Sequence, residues 1–195
     1  MPTKTPKRKG ADVFLDVECQ LTAQEVGGFG PEFIRRRRLA VAVVYEDKSA
    51  TSTAYQEKDA AKLIRDLQAA RRVIGYNLVG FDLEILRAYD VKGVEEIRAV
   101  DLFQELWEAT GYRWPLDNLA EPTLGSAPTS DGNIVPAKFR RGDIAGCVDD
   151  CRENVRQIAA LYRYGADHGF VYGRKEEGVR RRRIKVTWSR ESRTR

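Results

Sequence analysis

The chain has 195 residues, of which 42% are hydrophobic and 32% charged, with a formal net charge of +5. That length suits one domain with a full core rather than two. No apolar run approaches the roughly 20 residues of a membrane span. The opening stretch MPTKTPKRKG carries charge without the apolar segment of a secretory signal, so neither a membrane nor a secreted protein is expected.

Charge is unevenly spread. Residues 1–10 hold four positive charges and no acid, residues 174–195 hold ten Lys and Arg against three acids, and 11–173 carries a net −6. An acidic body with basic ends suits a protein that holds cations at carboxylates while its ends meet phosphate. Cys19, Cys147 and Cys151 cannot all pair within the chain and form no CxxC. Reduced, buried thiols and a cytoplasmic setting are therefore expected.

In chain order, residues 1–10 read as a basic disordered arm. Over 12–21 the residues alternate: Val13, Leu15, Val17, Cys19 and Leu21 point one way, and Phe14, Asp16, Glu18 and Gln20 the other. This predicts a strand with one core face and one face bearing both acids. Gly27-Gly28 marks a turn, LAVAVVY (39–45) is apolar enough for an interior strand, and TSTAY (51–55) reads as an outer one. These three strands, joined by short connections, predict an antiparallel meander.

Helical spacing follows over 57–71, with Ala60, Leu63, Ile64, Leu67 and Ala70 on one face. VIGYN (73–77) is a short strand, FDLEILRAY (81–89) a short helix, and IRAVDL (97–102) a strand entering the helix FQELWEAT. Pro115, Pro122, Pro128 and Pro136 predict an irregular region. A long helix runs from an N-cap at Asp143 to about His168. FVYGRKEEGVRRRRIKVTW predicts a hairpin turning at Glu177-Gly178. The pattern predicts an α/β domain with a mixed sheet over 11–172, followed by a basic hairpin and tail over 173–195.

Asp16 and Glu18 raise a physical question. Ionised carboxylates are costly to bury without a partner, and no Lys or Arg occurs between Ala11 and Ile34. Adjacent carboxylates on one strand face suit a divalent ion, because Mg²⁺ takes hard oxygen ligands and is usually held by few carboxylates plus substrate phosphates.

Two further segments sharpen this. FLDVEC, then GYNLVGFDLEILR, then a late helix with CRENV resembles the three exonuclease motifs of the DEDD superfamily of 3′–5′ exonucleases. The flow DVECQLTAQEVGG, VAVVY, GYNLVGFD, LDNLAEPTLG and CRENVRQIAALYRYGADHGFVY is most similar to helicase-associated, YprB-like exonuclease-like domains. The likeness covers about residues 12–172, with its order preserved. It implies a ribonuclease-H-like fold with three antiparallel strands, then parallel strands, flanked by helices. It implies Asp16 and Glu18 as first-motif metal ligands and Asp82 as the second-motif acid, with Asn77 and Phe81 shaping the substrate cleft. It further implies a two-metal, Mg²⁺- or Mn²⁺-dependent attack on phosphodiesters of DNA or RNA. The partners implied are a single-stranded 3′ end and a helicase or other nucleic-acid-processing protein.

The third motif departs from the family. Where the tyrosine variant has YxxxD, this chain has Asp150 at the Tyr position and Asn154 at the Asp position. The histidine variant offers no substitute, since its position is Ala145. His168, the single histidine, reads as structural. At about 100° per residue, Ile144, Cys147, Cys151, Val155, Ile158 and Tyr162 form one apolar stripe. Asp150 and Asn154 lie one turn apart on its flank, and Asp149 points to solvent. Asp150 is thus a candidate catalytic residue and replacement ligand. Asn154 offers only an uncharged oxygen; losing a unit charge about 4 Å from a cation forfeits on the order of 4 kcal/mol at an effective dielectric of about 20.

RRRR occurs at 35–38 and 180–183. In the second, Ile184, Val186 and Trp188 alternate with Lys185 and Thr187, giving one basic and one apolar hairpin face that could steer a phosphate backbone without reading bases. The expectation is a metal-dependent 3′–5′ exonuclease. The alternatives are a nucleic-acid-binding module that keeps the fold without catalysis, and an unrelated metal-dependent phosphatase.

Overall fold

The computed structural model describes residues 10–126, 134–175 and 180–189. The expected basic arm, save Gly10, lies outside the described residues, as do Pro128, the hairpin turn at Glu177-Gly178 and residues 190–195.

Seven strands and nine α-helices are present among the described residues. The strands are β1 (Asp12–Cys19), β2 (Leu39–Glu46), β3 (Thr51–Gln56), β4 (Arg72–Gly75), β5 (Ala99–Asp101), β6 (Phe170–Gly173) and β7 (Arg182–Lys185). The helices are α1 (Ala23–Val26), α2 (Pro31–Arg36), α3 (Ala60–Ala69), α4 (Leu83–Arg87), α5 (Val91–Glu95), α6 (Leu102–Thr110), α7 (Asp117–Leu124), α8 (Ile134–Arg140) and α9 (Ile144–His168).

The main sheet has the order β3-β2-β1-β4-β5. β1–β2 and β2–β3 are antiparallel, whereas β1–β4 and β4–β5 are parallel. β6 and β7 form a separate antiparallel hairpin. The mixed α/β sheet expected from the sequence is present, with β1 at its centre.

Both faces of β1 are covered, which explains its alternation. Leu15, Val17 and Cys19 join a core with Leu63, Ile64 and Leu67 of α3 and Ile85 and Leu86 of α4. On the other face, Phe14 joins Cys151, Val155, Ile158 and Tyr162 of α9 in a second core. The predicted apolar stripe of α9 is therefore the face laid on the sheet. Ile184, Val186 and Trp188 are buried in that same core, with Trp188 stacked on Tyr162 at 5.7 Å. The basic hairpin is thus part of the packed body along its apolar edge.

Two expectations need correcting. The link from β1 to β2 is not a short turn: it carries α1, which ends at Gly27 in the left-handed region (φ 87°), and then α2. Each is too short to show a 3.6-residue period. The proline-rich stretch is not irregular throughout, because α7 contains Pro122 and α8 contains Pro136. A proline within a helix frees the carbonyl four residues back. Here that carbonyl, Asn118 O, instead accepts from Arg174 N at 2.9 Å, so the helix keeps its proline without an orphaned group.

Among the described residues no helix is long and apolar enough to cross a membrane. All three cysteines are free and buried, as expected.

Candidate metal and phosphate cleft

The acid face of β1 continues past Phe14 to Asp16 and Glu18, which sit opposite Val43 and Val41 of β2 and under α9. Helix α9 is fixed over this spot by Cys151, whose Sγ donates to the backbone oxygen of Asp16 at 3.2 Å. One turn on, Asn154 is only 7% exposed. Its Nδ2 donates to Glu18 Oε1 at 3.1 Å and lies 3.5 Å from Asp16 Oδ2.

Asp82 arrives by an unusual turn. After β4 the chain passes through Asn77 in the left-handed region (φ 56°) and one π-helical turn, Leu78–Asp82, before α4. Such turns concentrate at functional sites. Asp101, at the end of β5, anchors the turn by accepting from Val79 N at 2.9 Å while capping α6. Gly80 leaves room for the Asn77 side chain: a Cβ there would meet Asn77 Oδ1 at 2.6 Å and push the amide from its place. The turn delivers Asp82, 4% exposed, to the cavity that Asp16, Glu18 and Asn154 line. That cavity has a volume of about 280 Å³, and Asn77 and Phe81 also line it.

The electrostatics are those of crowded acids. Burial pushes the Asp16 carboxyl up to about 6, although hydrogen bonds from Cys151 and Asn154 pull the other way. Burial also holds Glu18 well above the usual carboxylate range, reinforced by the charges of Asp16 and then Asp150. Asp82 is raised in the same way, by burial first and the Asp16 charge second. Among the described residues none of these three acids makes an ion pair.

The structure therefore brings together Asp16, Glu18, Asp82, Asn77, Phe81 and Asn154. Asp150 it does not: its Oδ2 is 2.6 Å from Lys138 Nζ on α8, and it does not line the cavity. Asp149 behaves as its position predicts, 73% exposed at the side chain and paired with Arg152.

Among the described residues no three His, Cys, Asp or Glu side chains are grouped so as to hold a metal ion. A divalent ion here would thus draw on fewer protein carboxylates, such as Asp16 and Glu18, which share the Asn154 amide nitrogen, plus oxygens from water and substrate, the usual arrangement for Mg²⁺. One observation favours that fit. Asn154 Oδ1 is buried with no hydrogen-bond partner, while Nδ2 occupies the point between the two carboxylates where a cation would sit. Turning the amide over would present Oδ1, now unpartnered, to an ion at that point.

The sequence did not single out Arg37 or Lys138. Arg37 lines the cavity with its guanidinium 5.5 Å from the centre of the Phe81 ring. Its position inside a run of four arginines masks it. Lys138 carries no local signal, and only the packing of α8 on α9 brings it to Asp150. Compared with models of known protein families and with curated protein sequences, the chain matches none.

Proposed function

We propose that the chain is a metal-dependent 3′–5′ exonuclease acting on single-stranded DNA or RNA, with a ribonuclease-H-like fold. The observation that carries this reading is the convergence of Asp16, Glu18, Asp82 and Asn154 on one cavity, where, among the described residues, none of the three acids makes an ion pair. The sheet order, with β1 central, antiparallel to β2 and parallel to β4, supports the fold assignment.

In this reading Asp16 and Glu18 hold Mg²⁺ or Mn²⁺, Asp82 completes the charge, and Asn154 adds its amide oxygen. Bound divalent ions supply an activated water and stabilise the leaving oxygen of a phosphodiester. The protein's own part is positional. Asn77 and Phe81 wall the cleft on the side of the π-turn, and α9 closes it against bulk water. The basic face of β7 meets the backbone away from the reacting bond.

The test is degradation of 3′-labelled single-stranded DNA and RNA with Mn²⁺, comparing the wild-type chain with Asp16→Ala and Asp82→Ala. Metal-dependent loss of 3′ nucleotides by the wild type alone supports the proposal. No cleavage of either substrate with Mg²⁺ or Mn²⁺ overturns it. A second reading, a binding module without catalysis, is favoured by the Nδ2 bridge of Asn154 and by the Lys138 pair that occupies Asp150. It predicts binding without cleavage.

A further inference from the structure

Of the four successive arginines 35–38, three have partners on the outside. Arg35 pairs with Glu84 at 2.9 Å, Arg36 lies over the Phe33 ring, and Arg38 is held by both oxygens of Glu57 at 2.8 and 2.9 Å. Arg37 alone turns into the acid-lined cavity. There its Nε is buried with no hydrogen-bond partner, and among the described residues the guanidinium makes no ion pair. The guanidinium pairs with none of the three carboxylates; among the described residues its polar neighbour on this side is the Cys19 thiol, whose rise by burial its charge and hydrogen bond oppose.

The backbone around it holds that aim. Arg37 O accepts from the N–H groups of both Gln20 and Leu21 at 3.1 Å, and Arg38 O accepts from Gln20 N at 3.0 Å. These bonds tie the segment to the chain just beyond β1. Arg38 itself is in the left-handed region, at φ 59°. The β1–β2 register shifts between Glu18 and Cys19, so that Cys19 faces Leu39 and Ala40 is extra. Bulges and left-handed non-glycine residues occur where the surrounding structure over-determines them, often beside a working site. Here both features sit next to the strand end that carries Glu18, and both fix the direction of Arg37.

We propose that Arg37 is the phosphate-binding side chain of the cleft, gripping two non-bridging oxygens of a nucleotide phosphate with its planar fork. This rests on the nuclease reading, and it names the group that the cleft takes. Guanidinium geometry matches phosphate bidentately, and stacking on Phe81 holds the plane in place. Three carboxylates against one guanidinium leave the cavity net negative, so the phosphate enters together with a divalent cation. The cavity then has two poles: carboxylates for the cation and Arg37 for the anion.

The experiment is calorimetric binding of thymidine 5′-monophosphate and of thymidine in Ca²⁺, with 3′-end degradation in Mn²⁺ measured in parallel. Wild type is compared with Arg37→Met, which keeps the stem over Phe81, and Arg37→Lys, which keeps the charge but not the fork. The expected result is a loss of about 10- to 100-fold in monophosphate affinity for Arg37→Met. A smaller loss is expected for Arg37→Lys, with thymidine binding the same in all three. Should Arg37→Met fail to fold, Arg37→Lys alone decides, because a fork is what lysine lacks. Monophosphate affinity equal to wild type in the variants, in a protein that degrades 3′ ends, overturns the assignment of Arg37 and leaves the nuclease reading standing. A wild type that neither binds the monophosphate nor cleaves overturns both.

Discussion

Asn154 donates its amide to Glu18 across 3.1 Å, from the flank of α9 to the end of β1. With Asp16 Oδ2 only 3.5 Å from the same nitrogen, one buried amide nitrogen separates two half-buried carboxylates. An aspartate at this position would offer no donor and would add a charge.

Asn154→Asp is therefore expected to have opposite effects with and without metal. Without metal, a lost donor and an added buried charge lower stability by about 2–4 kcal/mol. In a chain of this size each kcal/mol shifts Tm by roughly 2–4 °C. With Mn²⁺ the added charge raises affinity by about tenfold or more, and the melting temperature recovers. Thermal melts of both proteins across a Mn²⁺ titration check this. A variant as stable as wild type without metal would show that the Asn154 bridge contributes nothing.

The acids also set a pH dependence. Asp16 is raised from its ordinary 3.8 to about 6 by burial, and Glu18 and Asp82 move the same way. In that window the folded state holds more protons than the unfolded one, so metal-free stability falls as pH rises from about 4 through about 6. Asp12 acts oppositely. Burial pushes it up, but hydrogen bonds from Arg72 and Arg71 outweigh that and hold it below the usual range. Its contribution is present above about pH 4 and is lost as pH falls further. Metal-free melting temperature is expected to peak at about pH 4–5, with Mn²⁺ flattening the fall on the alkaline side. A metal-free optimum at pH 7 or above would contradict this.

Asp150 is expected to matter little to metal. Its pair with Lys138 is partly exposed, and Asp150→Ala should lower stability by no more than about 1 kcal/mol. Mn²⁺ affinity should stay within about twofold of wild type, whereas Asp16→Ala should remove it, since Mg²⁺-type sites rely on so few protein carboxylates. Loss of Mn²⁺ binding in Asp150→Ala would mean that Lys138 releases Asp150 to the ion.

What could be read in advance follows from period. Alternation on β1 placed Asp16 and Glu18 on one face, and the stripe on α9 placed Asn154 at its flank and Asp149 in solvent. Both patterns span long elements, where a side chain's direction follows from its position. The destinations of Arg37 and Lys138 depend on contacts with Phe81 and Asp150, far away in the chain, and four identical neighbours hid the first. Proline misled at Pro122 because the group that compensates for it, Arg174 N, lies beyond α9.

The C-terminal hairpin has two separable roles. Trp188 is buried against Tyr162, so Trp188→Ala should cost about 3–5 kcal/mol, read by denaturant unfolding. Arg183 and Lys185 are exposed and, among the described residues, without ion pairs. Arg183→Gln with Lys185→Gln should lower stability by no more than about 1 kcal/mol, from the Arg183 guanidinium that lies 3.6 Å over the Phe170 ring, and reduce the salt slope of single-strand binding by about one to two counterions. An unchanged slope would remove β7 from the binding surface.

The two faces of the central sheet are completed at different times. The core beneath α3 and α4 draws on residues only as far as Ile97, whereas the core beneath α9 needs Trp114 through Trp188. The contact from Asp16 to Cys151 spans 135 positions, but the last strand of the main sheet ends at Asp101, so the finished sheet waits on residues 102 to 151, which a ribosome covers in roughly 3–10 s. For that interval Phe14, Val41, Val43 and Ile74 form an uncovered apolar strip on an otherwise assembled sheet. Such long-range closure is slow and exposes the chain to aggregation. The carboxylates of Asp16 and Glu18 lie in line with that strip, so the pair that faces the finished cleft puts polar groups at its far end before the last long helix is made.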